Sequence, residues 1–395
     1  MNTKAPATLL LLAFACLSDA PGPARAGAAP SPAPNNLPGS EYPRLEPNLG
    51  VTFRLKAPEA KAVKLEGGAG LSKEPTDFTR GQDGIWTLTT PPAVPGFHYY
   101  WFNVDGVRVN DAASQAYFGY GRECSGIEIP EAGADYYAAR PEIPHGEVRS
   151  HWYYSKVTGR WRRAHVYTPP GYDKSGTRFP VLYLQHGAGE NERGWIEQGR
   201  ANFILDNLIG AKRARPMLLV IDTGYAAYAS GVSASATATS TNLSNRIASA
   251  TAAFEEVMLK EIIPMIDANY RTKPDRLHRA MAGLSMGSMQ TLNLTLRHLA
   301  QFAWIGGMSS PPRTGFDVAT AYDGVFRDAG AFNKQVRLLW LGAGTAETRF
   351  HASTVSVHEA LERAGIKNVF YSSPGTDHEW QTWRRSLYDF VPRLF

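Results

Sequence analysis

Gly283-Leu284-Ser285-Met286-Gly287 is the run in this chain whose residue types and spacing most clearly suit covalent chemistry. A G-x-S-x-G pentapeptide puts a serine where a strand turns sharply into a helix, and small flanking residues are needed because backbone passes close by. By itself the pentapeptide arises by chance in many chains. Here β-prone Arg279-Ala280-Met281-Ala282 precedes it and the amphipathic stretch from Met286 to Leu299 follows it, which is the required context. Ser285 is the expected nucleophile. A serine hydroxyl attacks only when a neighbouring base takes its proton, and that imidazole needs a carboxylate partner.

In elbows of this kind the chain order is Ser, acid, His. His378, within Gly375-Thr376-Asp377-His378-Glu379-Trp380, follows a strand pattern, precedes the last helix and is the expected base. His351 and His358 fall in or beside the preceding helix and read as surface or capping residues. Glu347, beyond the turn Gly342-Ala343-Gly344-Thr345, holds the position of the acid. Asp377 and Glu379 adjoin the base and would have to double back to reach its far ring nitrogen. Asp317, Asp323 and Asp328 read as solvated loop acids. An oxyanion hole needs two backbone N–H groups, one from the residue after the nucleophile and one from an early strand-to-loop turn. Met286 supplies the first. Gln185-His186-Gly187-Ala188-Gly189-Glu190 supplies the second, with Ala188 preferred over Gly187 or Gly189 and with His186 holding the loop.

These residues need a scaffold that brings strand ends together. From residue 151 onward, strand patterns at Arg163 to Tyr167, Val181 to Gln185, Met217 to Ile221, Ala280 to Gly283, Trp304 to Gly307, Val336 to Leu341 and Asn368 to Tyr371 alternate with helical ones. The helical patterns are Ala201 to Ile209, Ala252 to Ala268, Met286 to Leu299 and Thr354 to Ala364, and the alternation predicts a parallel sheet covered on both faces. The stretch Ala226 to Ala253, rich in Ala, Ser and Thr, follows a strand end and is open to two readings, a mobile lip or a plain surface insertion. Ahead of this, residues 42–135 alternate short β-type runs with turns, including Val51 to Leu55, Ile85 to Leu88 and His98 to Val104, which predicts a small all-β sandwich. A linker, 136–150, joins the two.

The N-terminus reads as a signal peptide, residues 1–26: Lys4, an apolar run from Leu9 to Leu17, and a small-residue cleavage site at Ala24-Arg25-Ala26. Residues 27–41 read as a flexible leader rich in Pro, Ala, Gly, Ser and Asn. Export is therefore expected, with acylation at Cys16 as the competing reading. Cleavage would leave Cys124 alone, unable to form an internal disulfide and read as structural. At 395 residues with 43% hydrophobic and 19% charged residues the chain is globular. A net charge of +5, from 41 basic and 36 acidic residues, is no basic stripe, so no nucleic-acid partner is expected. No later stretch approaches the roughly 18 apolar residues of a membrane span. No HExxH, CxxC pair or GxxxxGK[ST] occurs, and neither metal nor cofactor is expected. The 9 Trp and 18 Tyr suit either a dense core or the stacking of flat ligands and sugar rings.

Trp152-Tyr153-Tyr154-Ser155, Val166-Tyr167-Thr168-Pro169-Pro170-Gly171-Tyr172, Tyr183-Leu184-Gln185-His186-Gly187, Gly199-Arg200-Ala201-Asn202, the elbow and His378-Glu379-Trp380-Gln381-Thr382-Trp383 together resemble the esterase D-like branch of the α/β-hydrolases. More narrowly they resemble feruloyl and acetyl-xylan esterases of carbohydrate esterase family one. Val51 to Leu55, Gly84-Ile85-Trp86 and Tyr99 to Gly106 are similar to the immunoglobulin-like module of carbohydrate-binding family forty-eight. The resemblance implies an α/β-hydrolase fold over 151–395 behind an immunoglobulin-like sandwich. It also implies a secreted esterase acting on feruloylated or acetylated plant xylan, and an acyl pocket near the catalytic loops whose candidates are Trp195, Tyr225 and Trp380. Those three could equally be core residues. The family usually has Asp where this chain has Glu347. Competing implications are an enterochelin-type siderophore esterase and a carbohydrate-binding protein with an inactive hydrolase domain.

Overall fold

The computed structural model describes residues 29–68, 70–229, 243–310 and 315–395. The signal segment, Cys16 and residues 230–242 of the stretch read as a lip or insertion lie outside these. The front of the chain forms two antiparallel sheets. One runs in the order Ser31–Pro32, Arg44–Leu45, Val51–Lys56, Ile85–Thr89, Thr79–Arg80. The other runs Ala116–Gly119, Arg122–Ile129, Gly96–Val104, Val63–Gly67, Thr76–Asp77, with Val107–Val109 also on Gly96–Val104. Alternate residues point inward, as a period of two requires, so Val51 and Phe53 meet Val63, Leu65, Tyr100 and Phe102 in a shared core.

Gly96–Val104 breaks that alternation: its first seven residues are all buried. Tyr100 and Phe102 face the front core, whereas Phe97, Tyr99 and Trp101 enter the core of the following sheet beside Trp195, Trp380 and Leu387. A strand covered on both faces must be apolar on both, which is why its sequence reads as one continuous aromatic run.

The third sheet has eight strands in the order Glu147–Ser155, Arg160–Thr168, Leu218–Asp222, Val181–Gln185, Arg279–Leu284, Trp304–Met308, Leu338–Gly344, Val369–Ser373. From Leu218–Asp222 onward neighbours are parallel, and the two edge strands are antiparallel. The expected all-parallel sheet is thus corrected at one edge, where a tight hairpin replaces a helical crossover. The expected helix from Ala252 to Ala268 starts earlier, at Leu243, and passes through a wide π turn, Val257–Ile262, into Ile263–Asn269. Pro264 has no N–H for the regular ladder, and the wide turn absorbs that loss. Among the described residues no helix is long and apolar enough to cross a membrane.

Two further expectations change. Residues 29–41 of the expected leader are ordered: Ser31–Pro32 pairs with Arg44–Leu45, and Asn35 donates to Tyr117 Oη at 2.6 Å and accepts from Glu128 N at 2.7 Å. Composition forecasts only apolar burial, whereas this segment is held by hydrogen bonds to a sheet already formed. The expected linker is docked as well, with the Asp206 carboxylate accepting from Gly146 N at 2.9 Å and meeting His145 Nδ1 at 2.8 Å.

A buried ion pair also joins the front strand Arg122–Ile129 to the last helix. Arg384, on the last helix Trp380–Phe390, donates to Glu128 Oε1 at 2.6 Å and Oε2 at 2.9 Å. It also donates to Gln198 O and lies 4.2 Å from the centre of the Tyr137 ring. Burial pushes the Glu128 carboxyl up, but Arg384 beside it prevails and holds it below its ordinary value. Removing one partner of such a pair strands a buried charge. Arg384→Ala should therefore cost about 3–5 kcal/mol in urea denaturation, against the near-zero cost of an exposed arginine such as Arg363.

Candidate active site

The strand Arg279–Leu284 delivers Ser285 at φ 49°, ψ −115°, a conformation that L residues adopt only when the surroundings impose it. The surroundings are backbone. A Cβ on Gly283 would stand 2.5 Å from the carbonyl group of Gly287, and one on Gly287 would stand 2.5 Å from His186 O. Ser285 N–H donates to Met308 O at 2.9 Å, pinning the turn to the next strand.

His378 Nε2 lies 3.1 Å from Ser285 Oγ, and its Nδ1 lies 2.6 Å from Glu347 Oε1. Glu347, at the turn between Leu338–Gly344 and the helix Thr348–Arg363, is 2% exposed. Its other oxygen accepts from Ser309 Oγ at 2.9 Å and Gly344 N at 2.5 Å. Trp383 Nε1 in turn donates to Ser309 Oγ at 3.1 Å. Phe350 stacks on the His378 ring at 4.3 Å, and Trp383 meets its edge at 5.1 Å. The imidazole is thus fixed in plane and tautomer by packing and by one carboxylate. The rival groups are engaged elsewhere. His351 meets Ser372 Oγ, and His358 meets Asn368 Oδ1. Asp377 accepts from the backbone of His378, and Glu379 faces His98. Asp317 accepts from Thr320, Asp323 pairs with Arg297, and Asp328 caps a helix at Ala331 N.

Met286 opens the helix Met286–Arg297, so its N–H has no acceptor within the helix and sits at the positive end of its dipole. On the facing loop, Gly189 N–H is taken by Tyr225 Oη at 2.6 Å. Ala188, which lines the same pocket as Ser285, has no hydrogen-bond acceptor for its N–H among the described residues. The loop is held by His186, fully buried, whose Nδ1–H donates to Gly187 O and whose Nε2 accepts from Gly224 N, both at 2.8 Å. Burial pulls its pKa down to about 4, consistent with a neutral ring making one donation and one acceptance.

Of the three residues considered for an acyl pocket, Trp380 lines the cavity at Ser285 and the other two do not. Trp195 is fully buried, donates to Gln185 O at 2.9 Å and packs edge-on against Trp380. Tyr225 is displaced to a neighbouring cleft by its bond to Gly189. The remaining walls come from the front sheets: Phe97, His98, Tyr99 and Tyr120 close a pocket of about 150 Å³ against Trp380 and Trp383. Sequence reasoning missed these four because no local pattern tells a strand that packs only inside its own sandwich from one that also faces another sheet.

Glu190 also lines the pocket, buried, with Tyr99 Oη at 2.9 Å and 2.8 Å from its two oxygens. Tyr99 Oη accepts from Gln198 Nε2 at 2.7 Å and Trp380 Nε1 at 3.1 Å. Burial pushes the Glu190 carboxyl up to about 8.

Residues 155–394 match the model of a family described as putative esterases. The chain belongs to this family. It is 40% identical over 370 residues to an endo-1,4-beta-xylanase/feruloyl esterase of Xylanibacter ruminicola, an alignment covering 92% of this chain and 47% of that protein. The chain therefore spans about half the length of that relative. A ferulic acid esterase of Anaeromyces mucronatus, solved with ferulic acid, shares the fold at TM-score 0.55 and 23% identity, over 67% of this chain and 96% of that one. The enterobactin esterase of Shigella flexneri aligns at TM-score 0.61 and 17% identity over 86% of this chain and 92% of that one. The two likenesses show an esterase-type α/β-hydrolase fold.

Two outcomes follow for this esterase. In Glu347→Gln the side-chain amide offers a donor to His378 Nδ1 and favours the wrong tautomer. Its kcat on p-nitrophenyl acetate should fall about 10³- to 10⁴-fold with little change in KM. For Glu190, an unfolded Glu ionises near its ordinary value of 4.5 whereas the folded group holds its proton to about 8. Between these values the native state binds the extra proton, so stability falls as pH rises. Glu190→Gln should flatten that slope, as read by urea titrations across the same interval. An unchanged slope would assign the pH dependence to other groups.

Proposed function

We propose that this protein is an exported serine esterase that removes feruloyl groups, or acetyl groups as the smaller alternative, from plant xylan. The observation that carries the reading is the pocket at Ser285, whose walls are Phe97, Tyr99, Tyr120, Trp380 and Trp383. Flat aromatic walls beside an ester-cleaving serine suit an aryl acyl group, which stacks or meets their edges. The Xylanibacter ruminicola relative, an endo-1,4-beta-xylanase/feruloyl esterase, supports the same class. Lys4, the apolar run Leu9 to Leu17 and Ala24-Arg25-Ala26 support export. The front sandwich, similar in its strand motifs to carbohydrate-binding family forty-eight, serves as a wall of the pocket in this reading.

Ser285 Oγ attacks the ester carbonyl carbon while its proton passes to His378 Nε2. The oxyanion that forms is received by the Ala188 and Met286 N–H groups, and Glu347 stabilises the imidazolium. Collapse breaks the bond to the sugar oxygen, which takes the proton from His378 and leaves as the alcohol. Water then enters, His378 removes its proton, and attack on the acyl-serine releases the carboxylic acid and restores Ser285.

The likeness of the enterobactin esterase extends over 86% of this chain, including the front sheets, and favours a siderophore ester as the second reading. Methyl ferulate, acetylated xylan and enterobactin assayed in parallel, with Ser285→Ala as blank, separate the cases. Ferulate release that the variant loses is the expected result. Acetate release alone would mean an acetyl-xylan esterase. Turnover of enterobactin alone would replace the xylan reading.

A further inference from the structure

The edge hairpin Glu147–Ser155/Arg160–Thr168 carries an unusual surface. Trp152 and Tyr154, two residues apart, share one face, and the register sets Trp152 opposite Arg163 and Tyr154 opposite Trp161. Trp152, Tyr154 and Trp161 are 59%, 54% and 68% exposed, and Tyr225 nearby is 47% exposed. Tyr154 and Trp161 meet edge to face at 5.8 Å, and the Arg163 guanidinium lies 5.4 Å from the centre of the Trp152 ring. Four large aromatics held in water at one place need an explanation, because isolated exposed apolar residues are ordinary and clusters are not.

Trp152, Trp161, Arg163, Glu192, Thr223 and Tyr225 line a cleft of about 370 Å³. This cleft and the catalytic pocket are the two sides of one loop. Gly187, Ala188 and Glu190 line the pocket, and Glu192 lines the cleft. Gly189 between them is tied to Tyr225. An ester held at Ser285 with its acyl group among Phe97, Tyr99 and Trp380 has its alcohol portion directed elsewhere, and the cleft is the large opening adjoining the oxyanion loop. The walls are flat rings with a charged edge: partly exposed Arg163 is anchored by buried Glu192 at 2.7 Å. Rings that stack and ions that meet hydroxyls together match a saccharide, whose ring faces are apolar and whose rim is polar.

We infer that this hairpin is a binding platform for the unesterified xylan main chain that flanks the esterified sugar, an inference that rests on the polysaccharide-ester reading above. Stacking on Trp152, Trp161 and Tyr225 holds the polymer while Ser285 acts on its side chain. The platform adds affinity for long substrates and is idle with small esters.

The test uses the full chain with Trp152→Ala/Trp161→Ala, leaving Tyr225 untouched because it holds the oxyanion loop. Linear xylo-oligosaccharides lacking any ester are titrated into Ser285→Ala with and without the double substitution by calorimetry. Hydrolysis of methyl ferulate and of feruloylated arabinoxylan is measured with Ser285 intact. Oligosaccharide affinity and the KM for the polymer should each worsen about tenfold or more, with methyl ferulate kinetics within about twofold of the parent. Equal losses on both esters would mean a merely structural role and overturn the platform. Unchanged oligosaccharide affinity would do the same, as would a dimer in size exclusion that the double substitution dissociates. If the parent cleaves neither ester, the esterase reading falls on its own, while the titration still decides whether the hairpin binds xylan.

Discussion

The burial of Gly96–Val104 on both faces is the constraint on which the rest depends. One face, through Tyr100 and Phe102, completes the core of the front sandwich. The other, through Phe97, Tyr99 and Trp101, completes the core of the eight-stranded sheet. Neither part can withdraw without exposing large aromatic surface to water, a cost that grows with area at about 25 cal/mol per Å². The Arg384–Glu128 pair adds direction to this apolar contact, since a bidentate guanidinium bond tolerates little rotation. A pocket wall made from the front sheets is therefore as fixed as one made from the hydrolase sheet itself.

The same rigidity supports the chemistry. Ser285 occupies an unfavourable backbone conformation that persists because Gly283, Gly287 and the His186 carbonyl leave no alternative path. Glu347 is buried yet keeps its acceptor capacity occupied by His378, Ser309 and Gly344, so its carboxylate has a single productive orientation. The loop from Gln185 to Glu190 is braced from both sides, by His186 within and by Tyr225 without. Each brace is a hydrogen bond to backbone, which spares the side chains of the pocket for substrate.

Much of the hydrogen-bonded Ser285–His378–Glu347 cluster was legible in the sequence because each member sits in a local pattern at a strand end. An elbow needs glycine at two fixed offsets, and a base and acid must follow strands in a known order, so Ser285, His378 and Glu347 could be named from spacing and context. The strands and helices that deliver them were legible from period alone, with ends displaced by a few residues and the start of Leu243–Glu256 missed. The ordered leader was not legible, since Asn35 owes its place to partners 82 and 93 residues away.

What the sequence determined by itself was the candidate machinery: the elbow at Ser285, dictated by short-range sterics, and the chain order of Glu347 and His378, whose hydrogen bonds span 31 and 93 residues. What only the tertiary structure decided was the surface that machinery faces. Whether Trp195 or Tyr99 lines the pocket, whether Tyr225 touches an acyl group or a loop, and whether Trp152 and Trp161 lie in a core or in water are questions of which faces meet. Period and composition describe a single element, whereas those meetings join residues far apart in the chain, such as Trp380 and Tyr99, 281 positions distant. Their energy comes from packing between elements, and no local pattern encodes it.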